Sequence, residues 1–177
     1  MSELIRNKIR AIPDFPKPGI MFRDVTTLFK DAQGLAETAR LFYEHYELWS
    51  IDKVAGIEAR GFIIGAILAE KLGVGFVPIR KKGKLPAAVM GEEYDLEYGK
   101  DKIEAHLDAF EAGERVLLID DLIATGGTAL AACNLIEKLG AKIVGCGFVV
   151  SLPDLGGVKK ILDRGYEVFD LIKFNGE

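Results

Sequence analysis

V-L-L-I-D-D-L-I-A-T-G-G-T, residues 116–128, carries the strongest structural signal in the sequence. Its first four residues form an uninterrupted apolar run, which is typical of a strand buried on both faces. Asp120 and Asp121 follow at once, and small and hydroxylated residues come after them. Beyond the loop, Ala129, Cys133 and Ile136 recur at helical spacing. The stretch therefore predicts a strand, an acidic turn, a small-residue loop and a helix.

The loop is suited to bind an anion. Glycines let a ligand approach the main chain closely. The free N–H groups of the loop and of the following helix N-terminus would point at one place, where the helix dipole favours negative charge. The loop residues expected to hold a phosphate are Ala124, Thr125, Gly126, Gly127 and Thr128.

Asp120 and Asp121 need a different ligand, because two carboxylates in contact with a phosphate would repel it. Adjacent carboxylates beside a phosphate site suit the vicinal hydroxyls of a ribose, with a divalent cation nearby. Taken without their neighbours, the two acids fit the capping of a turn equally well.

The common nucleotide motifs are absent: the chain contains no G-x-x-x-x-G-K-[ST], and no G-x-G-x-x-G follows the strand. The stretch instead resembles the phosphoribosyl pyrophosphate signature of the type I phosphoribosyltransferases. The resemblance implies that Asp120 and Asp121 bind the ribose hydroxyls and that residues 124–128 bind the 5′-phosphate. The A-T-G-G-T ending is most similar to members of the family that act on adenine.

Composition sets the broad class. A chain of 177 residues with 49% hydrophobic and 28% charged residues fits one globular domain. The net charge of −4 gives no general attraction to nucleic acid or membranes. Cys133 and Cys146 are interpreted as small buried residues rather than a disulfide. The N-terminus lacks a signal peptide or membrane-spanning pattern, so we expect a cytoplasmic protein.

The remaining elements alternate between strands and helices. Residues 1–33 are expected to be irregular, and the prolines forbid a helix through residues 14–20. The expected helices cover residues 35–49, 63–72 after a turn of residues 58–62, 102–110, and 156–164, which Gly156-Gly157 opens. The expected further strands cover residues 54–57, 74–79, 143–150 and 168–172. Such alternation predicts an α/β fold with a mostly parallel central sheet flanked by helices.

Residues 85–101 lack a helical pattern. Tyr94, Leu96 and Tyr98 alternate with acids, which predicts a short two-stranded flap with Gly91 and Gly99 as hinges. The string Y-D-L-E-Y-G resembles the catalytic loop of the family, which implies that Glu97 and Tyr98 are catalytic. The alternation alone fits a solvent-facing Glu97 equally well.

Three other strings resemble the family. P-G-I-M-F-R-D in the 1–33 segment is similar to its adenine-binding hood, E-A-R-G to its pyrophosphate loop, and R-K-K-G-K-L-P to a segment that binds pyrophosphate and contributes across a dimer interface. The implied adenine-binding residues are Met21, Phe22 and Arg23. The implied pyrophosphate-binding residues are Arg60, Arg80, Lys81 and Lys84. Alone, Phe22 also fits core packing, Arg60 an exposed cation and the basic run a solvated surface.

Together the strings imply the type I phosphoribosyltransferase fold over residues 1–177, with a hood and a flexible flap. They imply the reaction of adenine with phosphoribosyl pyrophosphate to give AMP and pyrophosphate, with Mg²⁺ held mainly by substrate, and a homodimer. A transferase for another purine is one alternative, which the hood and flap strings disfavour. A regulator that senses phosphoribosyl pyrophosphate and binds nucleic acid is another, but the acidic chain offers no basic face for it.

Overall fold

The computed structural model of this chain describes residues 3–95 and 99–176. Its strands are β1 (Arg10–Pro13), β2 (Met21–Asp24), β3 (Lys53–Ile57), β4 (Gly75–Lys81), β5 (Val89–Asp95), β6 (Lys100–His106), β7 (Arg115–Ile123), β8 (Lys142–Ser151) and β9 (Val168–Lys173). Its α-helices are α1 (Glu3–Lys8), α2 (Thr26–Phe29), α3 (Ala32–Tyr46), α4 (Arg60–Leu72), α5 (Gly127–Lys138) and α6 (Gly157–Asp163), and a 3₁₀ turn covers Pro153–Leu155.

Seven strands form one sheet in the order β5-β6-β4-β3-β7-β8-β9. The five strands from β4 to β9 in this order run parallel. The β5–β6 hairpin is antiparallel and joins the sheet through the end of β4. β1 and β2 form a separate two-stranded antiparallel sheet. The predicted mostly parallel sheet is confirmed.

Strand β7 lies inside the sheet, and residues 116–119 are fully buried. Successive side chains of a strand point to opposite faces. Accordingly, Leu118 packs in the apolar cluster that contains Ala132 and Ile136 of α5, whereas Leu117 packs in the cluster that contains Leu68 of α4. Helices therefore cover both faces, as the continuous apolar run predicts.

The strand order reverses between β3 and β7. From β3 the chain continues to β4 on one side, and from β7 it continues to β8 on the other. In open α/β sheets, ligands bind beyond the carboxyl ends of the strands at such a switch point. The loops that follow β3 and β7, residues 58–59 and 124–126, lie at this position.

Two expectations about secondary structure were wrong. The helix expected over residues 102–110 is instead β6 and a turn. Ile103 and Ala105 are buried and alternate with polar residues, which is the period of a strand, and β6 pairs with β5 along its whole length. Residues 1–33 are not irregular, since α1, β1, β2 and α2 lie there. The absence of a helix over residues 14–20 is confirmed.

Two further sequence inferences concern cysteines and membranes. Cys133 and Cys146 are both buried and free, with their sulfurs 3.7 Å apart, as expected for small core residues. Among the described residues, no helix has the length and apolar character needed to cross a membrane.

Candidate active site

The loop between β7 and α5 encloses a cavity of about 210 Å³. Gly126 has a φ of 80°, a left-handed conformation that glycine adopts without strain, and it is the N-cap of α5. The cavity is lined by Asp120 and by residues 122–129. All five predicted phosphate-binding residues therefore line one cavity at the N-terminus of a 12-residue helix, where backbone N–H groups and the helix dipole favour an anion.

The start of α6 supports this loop, and the sequence did not reveal it. The Gly157 N–H donates to the Ala124 carbonyl at 3.0 Å, and Lys160 Nζ donates to the Thr125 carbonyl at 2.9 Å. A Cβ added at Gly157 would lie 2.3 Å from the Ala124 carbonyl oxygen. The two consecutive glycines at the start of the predicted last helix were the available sequence signal for this close contact.

Asp120 and Asp121 lie within β7 rather than in a turn after it. The strand continues because the backbone remains paired with β8 as far as Ile123. Consecutive positions point in opposite directions, so Asp120 lines the cavity while Asp121 turns toward Arg60. Burial and the neighbouring charge of Asp121 raise the pKa of Asp120 well above its ordinary value. The Asp120 carboxyl would thus gain from hydrogen-bond donors in a ligand.

Arg60 connects three of the predicted segments. It is the first residue of α4, its Nε lies 2.5 Å from Asp121 Oδ2, and its guanidinium lies 5.8 Å from the Phe22 ring centroid. Burial opposes the charged form, but the charge and hydrogen bond of Asp121 outweigh it and raise the pKa of Arg60. The pyrophosphate string, the acids and the hood therefore meet around one guanidinium.

Close packing of the backbone holds these two loops together. A Cβ added at Gly61 would lie 2.8 Å from Asp120 Oδ1 and 2.8 Å from the Ile119 carbonyl oxygen. Only glycine at this position lets the first turn of α4 approach the end of β7 so closely. Gly61 is thus a further residue of the site, and the E-A-R-G string in which it lies did not predict this role.

The basic run begins inside β4, which extends to Lys81 because its end pairs with β6. Arg80 contacts both carboxylate oxygens of Glu58 at 3.2 and 3.3 Å and donates to the Lys84 carbonyl at 3.0 Å. The Lys81 N–H donates to Glu58 at 3.0 Å. Burial raises the pKa of Glu58, but these hydrogen bonds and charges outweigh it and lower the pKa. Glu58 thereby connects the basic run to the loop that directly precedes Arg60.

The hood is the β1–β2 sheet. Met21 pairs in register with Pro13, and Arg23 pairs with Ala11. The Phe22 ring packs edge-on against Phe15 with centroids 5.1 Å apart. The Arg23 guanidinium lies over the Phe174 ring at 4.1 Å.

The β5–β6 hairpin confirms the two-stranded flap in part. It packs along α5, where Glu92 contacts Lys138 at 2.5 Å, and Tyr94 Oη donates to Asp101 at 3.0 Å. Gly91 lies in the middle of β5, paired with Glu104, so it is not at a flap boundary, whereas Gly99 has a φ of 90° directly before β6. The predicted catalytic residues Glu97 and Tyr98 lie outside the described residues.

Within residues 3–95 and 99–176, no group of three or more His, Cys, Asp or Glu side chains lies close enough together to hold a metal ion.

Comparison with known proteins identifies relatives over nearly the whole chain. The family model for the phosphoribosyl transferase domain matches residues 24–176. The adenine phosphoribosyltransferase of Methylobacillus flagellatus is 58% identical over 170 residues, which cover 96% of this chain and 97% of that protein.

Solved structures agree with this match. The adenine phosphoribosyltransferase of Thermoanaerobacter pseudethanolicus superposes with a TM-score of 0.93 at 49% identity, covering 97% of this chain and 99% of that one. The Saccharomyces cerevisiae enzyme, solved with an imino-altritol bisphosphate and adenine, gives a TM-score of 0.86 at 40% identity, covering 95% and 96%.

Proposed function

We propose the following roles for the residues of this chain, which belongs to the adenine phosphoribosyltransferases, within the phosphoribosyl transferase domain family. The reaction of purine salvage joins adenine to phosphoribosyl pyrophosphate and gives AMP and pyrophosphate. One observation carries the assignment of roles: the cavity, Asp120 and Arg60 meet at the carboxyl ends of β3 and β7.

The 5′-phosphate of the substrate binds in the loop of residues 124–128. The loop cavity has the backbone donors and the helix dipole that stabilise a phosphate, and Thr125 and Thr128 add hydroxyl donors. The contacts of Gly157 and Lys160 with the loop carbonyls keep the loop in place before the ligand arrives. A preformed site avoids the cost of ordering the loop on binding.

Asp120 and Asp121 bind the ribose hydroxyls. Asp121 is paired with Arg60, so the arrival of substrate would exchange partners: Asp121 accepts from a ribose hydroxyl while Arg60 turns to the pyrophosphate. The exchange keeps the buried Asp121 carboxylate compensated, which is required because an unpaired buried charge is costly, and the half-exposed Arg60 guanidinium stays paired as well. The two carboxylates then lie near the sugar carbon that becomes positive as its bond to pyrophosphate breaks, and they stabilise that charge.

The pyrophosphate leaves toward the cations Arg60, Arg80, Lys81 and Lys84. Glu58, two residues before Arg60, already orients the Arg80 guanidinium and accepts from the Lys81 backbone N–H, whereas the Lys81 ammonium lies 3.5 Å from Asp101. Mg²⁺ prefers oxygen ligands and is usually held by substrate phosphates together with one or two carboxylates. The pyrophosphate of the substrate, with the Asp120 and Asp121 carboxylates close by, would provide such ligands. Bound Mg²⁺ would neutralise part of the charge that builds up on the pyrophosphate.

Adenine is read by the backbone of β2. The Met21 C=O and Arg23 N–H point to the same side because they are two residues apart in a strand. Adenine offers a matching donor at N6 and acceptor at N1, and Phe22 forms a wall of the pocket. Hypoxanthine presents the opposite groups, which would leave buried polar groups unpaired.

Glu97 acts on the purine imidazole at N7 as the N9 proton is lost, and Tyr98 lies beside it in the sequence of the flap. Closure of residues 85–101 would exclude water, which competes with adenine as nucleophile. Asp95, the last described residue before Glu97, supports this role: its carbonyl oxygen lies 3.5 Å from the position a Cβ would take at Gly127 in the phosphate loop.

We also propose that the protein is a cytoplasmic homodimer. The basic run of residues 80–84 lies at the end of β4 and is largely exposed, so it is available to a second copy of the chain. Sedimentation at several concentrations tests the dimer.

Incubation of the protein with adenine, phosphoribosyl pyrophosphate and Mg²⁺ tests the function. The expected products are AMP and pyrophosphate in equal amounts. Arg60→Ala should weaken pyrophosphate binding, while the exposed control Lys159→Ala should not. Absence of AMP from folded protein would refute the reaction, and equal effects of the two variants would refute a specific role of Arg60.

A further inference from the structure

Phe174 lies directly after β9 and contacts the hood. The Arg23 guanidinium lies 4.1 Å from its ring centroid, and the Arg6 guanidinium lies 4.8 Å away. Both distances are within the range of a cation–π contact. The ring therefore joins the end of the chain to a side chain of β2.

The segment that carries Phe174 is itself fixed to the main sheet. The Phe174 N–H donates to the Ser151 carbonyl at 3.0 Å, and the Gly176 N–H donates to Asp154 at 2.5 Å. Arg6 Nη2 adds a hydrogen bond to the Lys173 carbonyl at 2.8 Å. Phe174 is thus held by the backbone on the side of β8, and its ring presents a fixed surface to the hood.

The hood needs such a support because its two strands share no ladder with the seven-stranded sheet. One end of β2 is anchored through Asp24, which is buried and contacts Arg10 at 2.5 Å and the Thr26 N–H at 2.9 Å. At the preceding residue, the contact between Arg23 and Phe174 anchors the strand to the opposite end of the chain.

We propose that Phe174 is a positioning residue for the base, which holds β2 through the Arg23 side chain so that the Met21 and Arg23 backbone groups stay in register with adenine. This inference rests on the proposed backbone recognition of adenine. It gives the Arg23 side chain a role that differs from contact with the base.

The electrostatics favour an aromatic ring here over an aliphatic side chain. Arg6 and Arg23 carry like charges close together, and burial and the charge of Arg6 lower the pKa of Arg23. The negative face of an aromatic ring stabilises both guanidiniums, whereas an aliphatic side chain of similar volume supplies packing only.

The test compares Phe174→Leu with Phe174→Trp. A cation–π contact of ordinary strength corresponds to about 3- to 30-fold in affinity. Phe174→Leu should therefore raise KM for adenine by about 3- to 30-fold and leave kcat and KM for phosphoribosyl pyrophosphate unchanged. Phe174→Trp should keep the parent KM. Tyr166→Leu is the matched control. It removes another aromatic–arginine contact, in which the Arg164 guanidinium lies 5.9 Å from the Tyr166 ring centroid, and this contact is away from the hood.

A double-mutant cycle with Arg23→Gln isolates the contact, because Phe174→Leu should have little further effect once the guanidinium is absent. A parent-like adenine KM in Phe174→Leu, an equal rise in both KM values, or a tryptophan variant that behaves like leucine would overturn the proposal. Failure of the parent protein to form AMP would instead refute the proposed function. If Phe174→Leu does not fold, Arg23→Gln alone decides, since it should raise the adenine KM selectively.

Discussion

Replacing Gly157 by alanine tests whether α6 shapes the phosphate loop. The new Cβ would lie 2.3 Å from the Ala124 carbonyl oxygen and 2.7 Å from the Gly126 nitrogen, both of them backbone atoms. Relief of these overlaps requires the loop and α6 to separate by about 1 Å, because carbon and oxygen in contact stay roughly 3.3 Å or more apart. Overpacking of this kind costs about 1–3 kcal/mol, which lowers Tm by about 2–12 °C in a chain of this size.

The displaced loop should also weaken catalysis. A misplacement of about 1 Å in a positioning group can cost about 10²-fold, so kcat/KM for phosphoribosyl pyrophosphate should fall by about that factor while KM for adenine changes less. Thermal unfolding and steady-state kinetics measure the two effects. Gly165→Ala is the control: Gly165 has a φ of 84° and open space around it, so alanine there costs stability without touching the loop. Parent-like kinetics in a folded Gly157→Ala variant would refute the role of α6.

Three other outcomes follow from the site and the hood. Glu97→Leu should lower kcat by about 10²–10⁴-fold if this residue transfers the proton, and a parent-like rate with adenine would exclude that role. Asp120→Asn together with Asp121→Asn should leave the fold intact but abolish binding of phosphoribosyl pyrophosphate by calorimetry; unchanged affinity would show that the acids only shape the turn. Burial raises the pKa of Asp24, but hydrogen bonds from Thr26 and Arg10 outweigh it and lower the pKa to about 2. The folded state therefore binds fewer protons, and this stabilisation is present above about pH 4 and lost as pH falls through about 2. Asp24→Asn should flatten the decline of Tm over this range, and an unchanged slope would contradict it.

The elements with a strong periodic signal were predictable from the sequence. β7 and α5 carry an apolar run and a helical repeat, and α3 carries Leu35, Ala39, Phe42 and Tyr46 on one face, so their burial follows from local pattern. β6 was mistaken for a helix, because short segments with several charges fit both periods and only the pairing with β5 decides between them. β1 and β2 were missed for the same reason, since short strands depend on tertiary pairing.

In the site, the residues in contiguous strings were predictable and their mutual contacts were not. The loop of residues 124–128 lines one cavity, as its composition predicts. No local pattern could indicate that Gly157 would touch Ala124 or that Phe174 would cover Arg23, because these contacts join segments far apart in the chain. Gly61 and Gly157 act through the absence of a side chain. From the sequence alone, a glycine needed for such close packing looks the same as a glycine needed for a turn.

Competition between adenine and hypoxanthine in one assay tests most directly that the backbone of β2 selects the base. With phosphoribosyl pyrophosphate and Mg²⁺ present and both bases equimolar, AMP should exceed IMP by about 10⁴-fold or more, because hypoxanthine would leave two buried backbone groups unpaired. Arg23→Ala removes the side chain that holds β2, so its activity should fall. Because the variant retains the backbone pair, it should not gain use of hypoxanthine. Comparable yields of IMP and AMP from the parent protein would contradict both the backbone pairing and the preference for adenine.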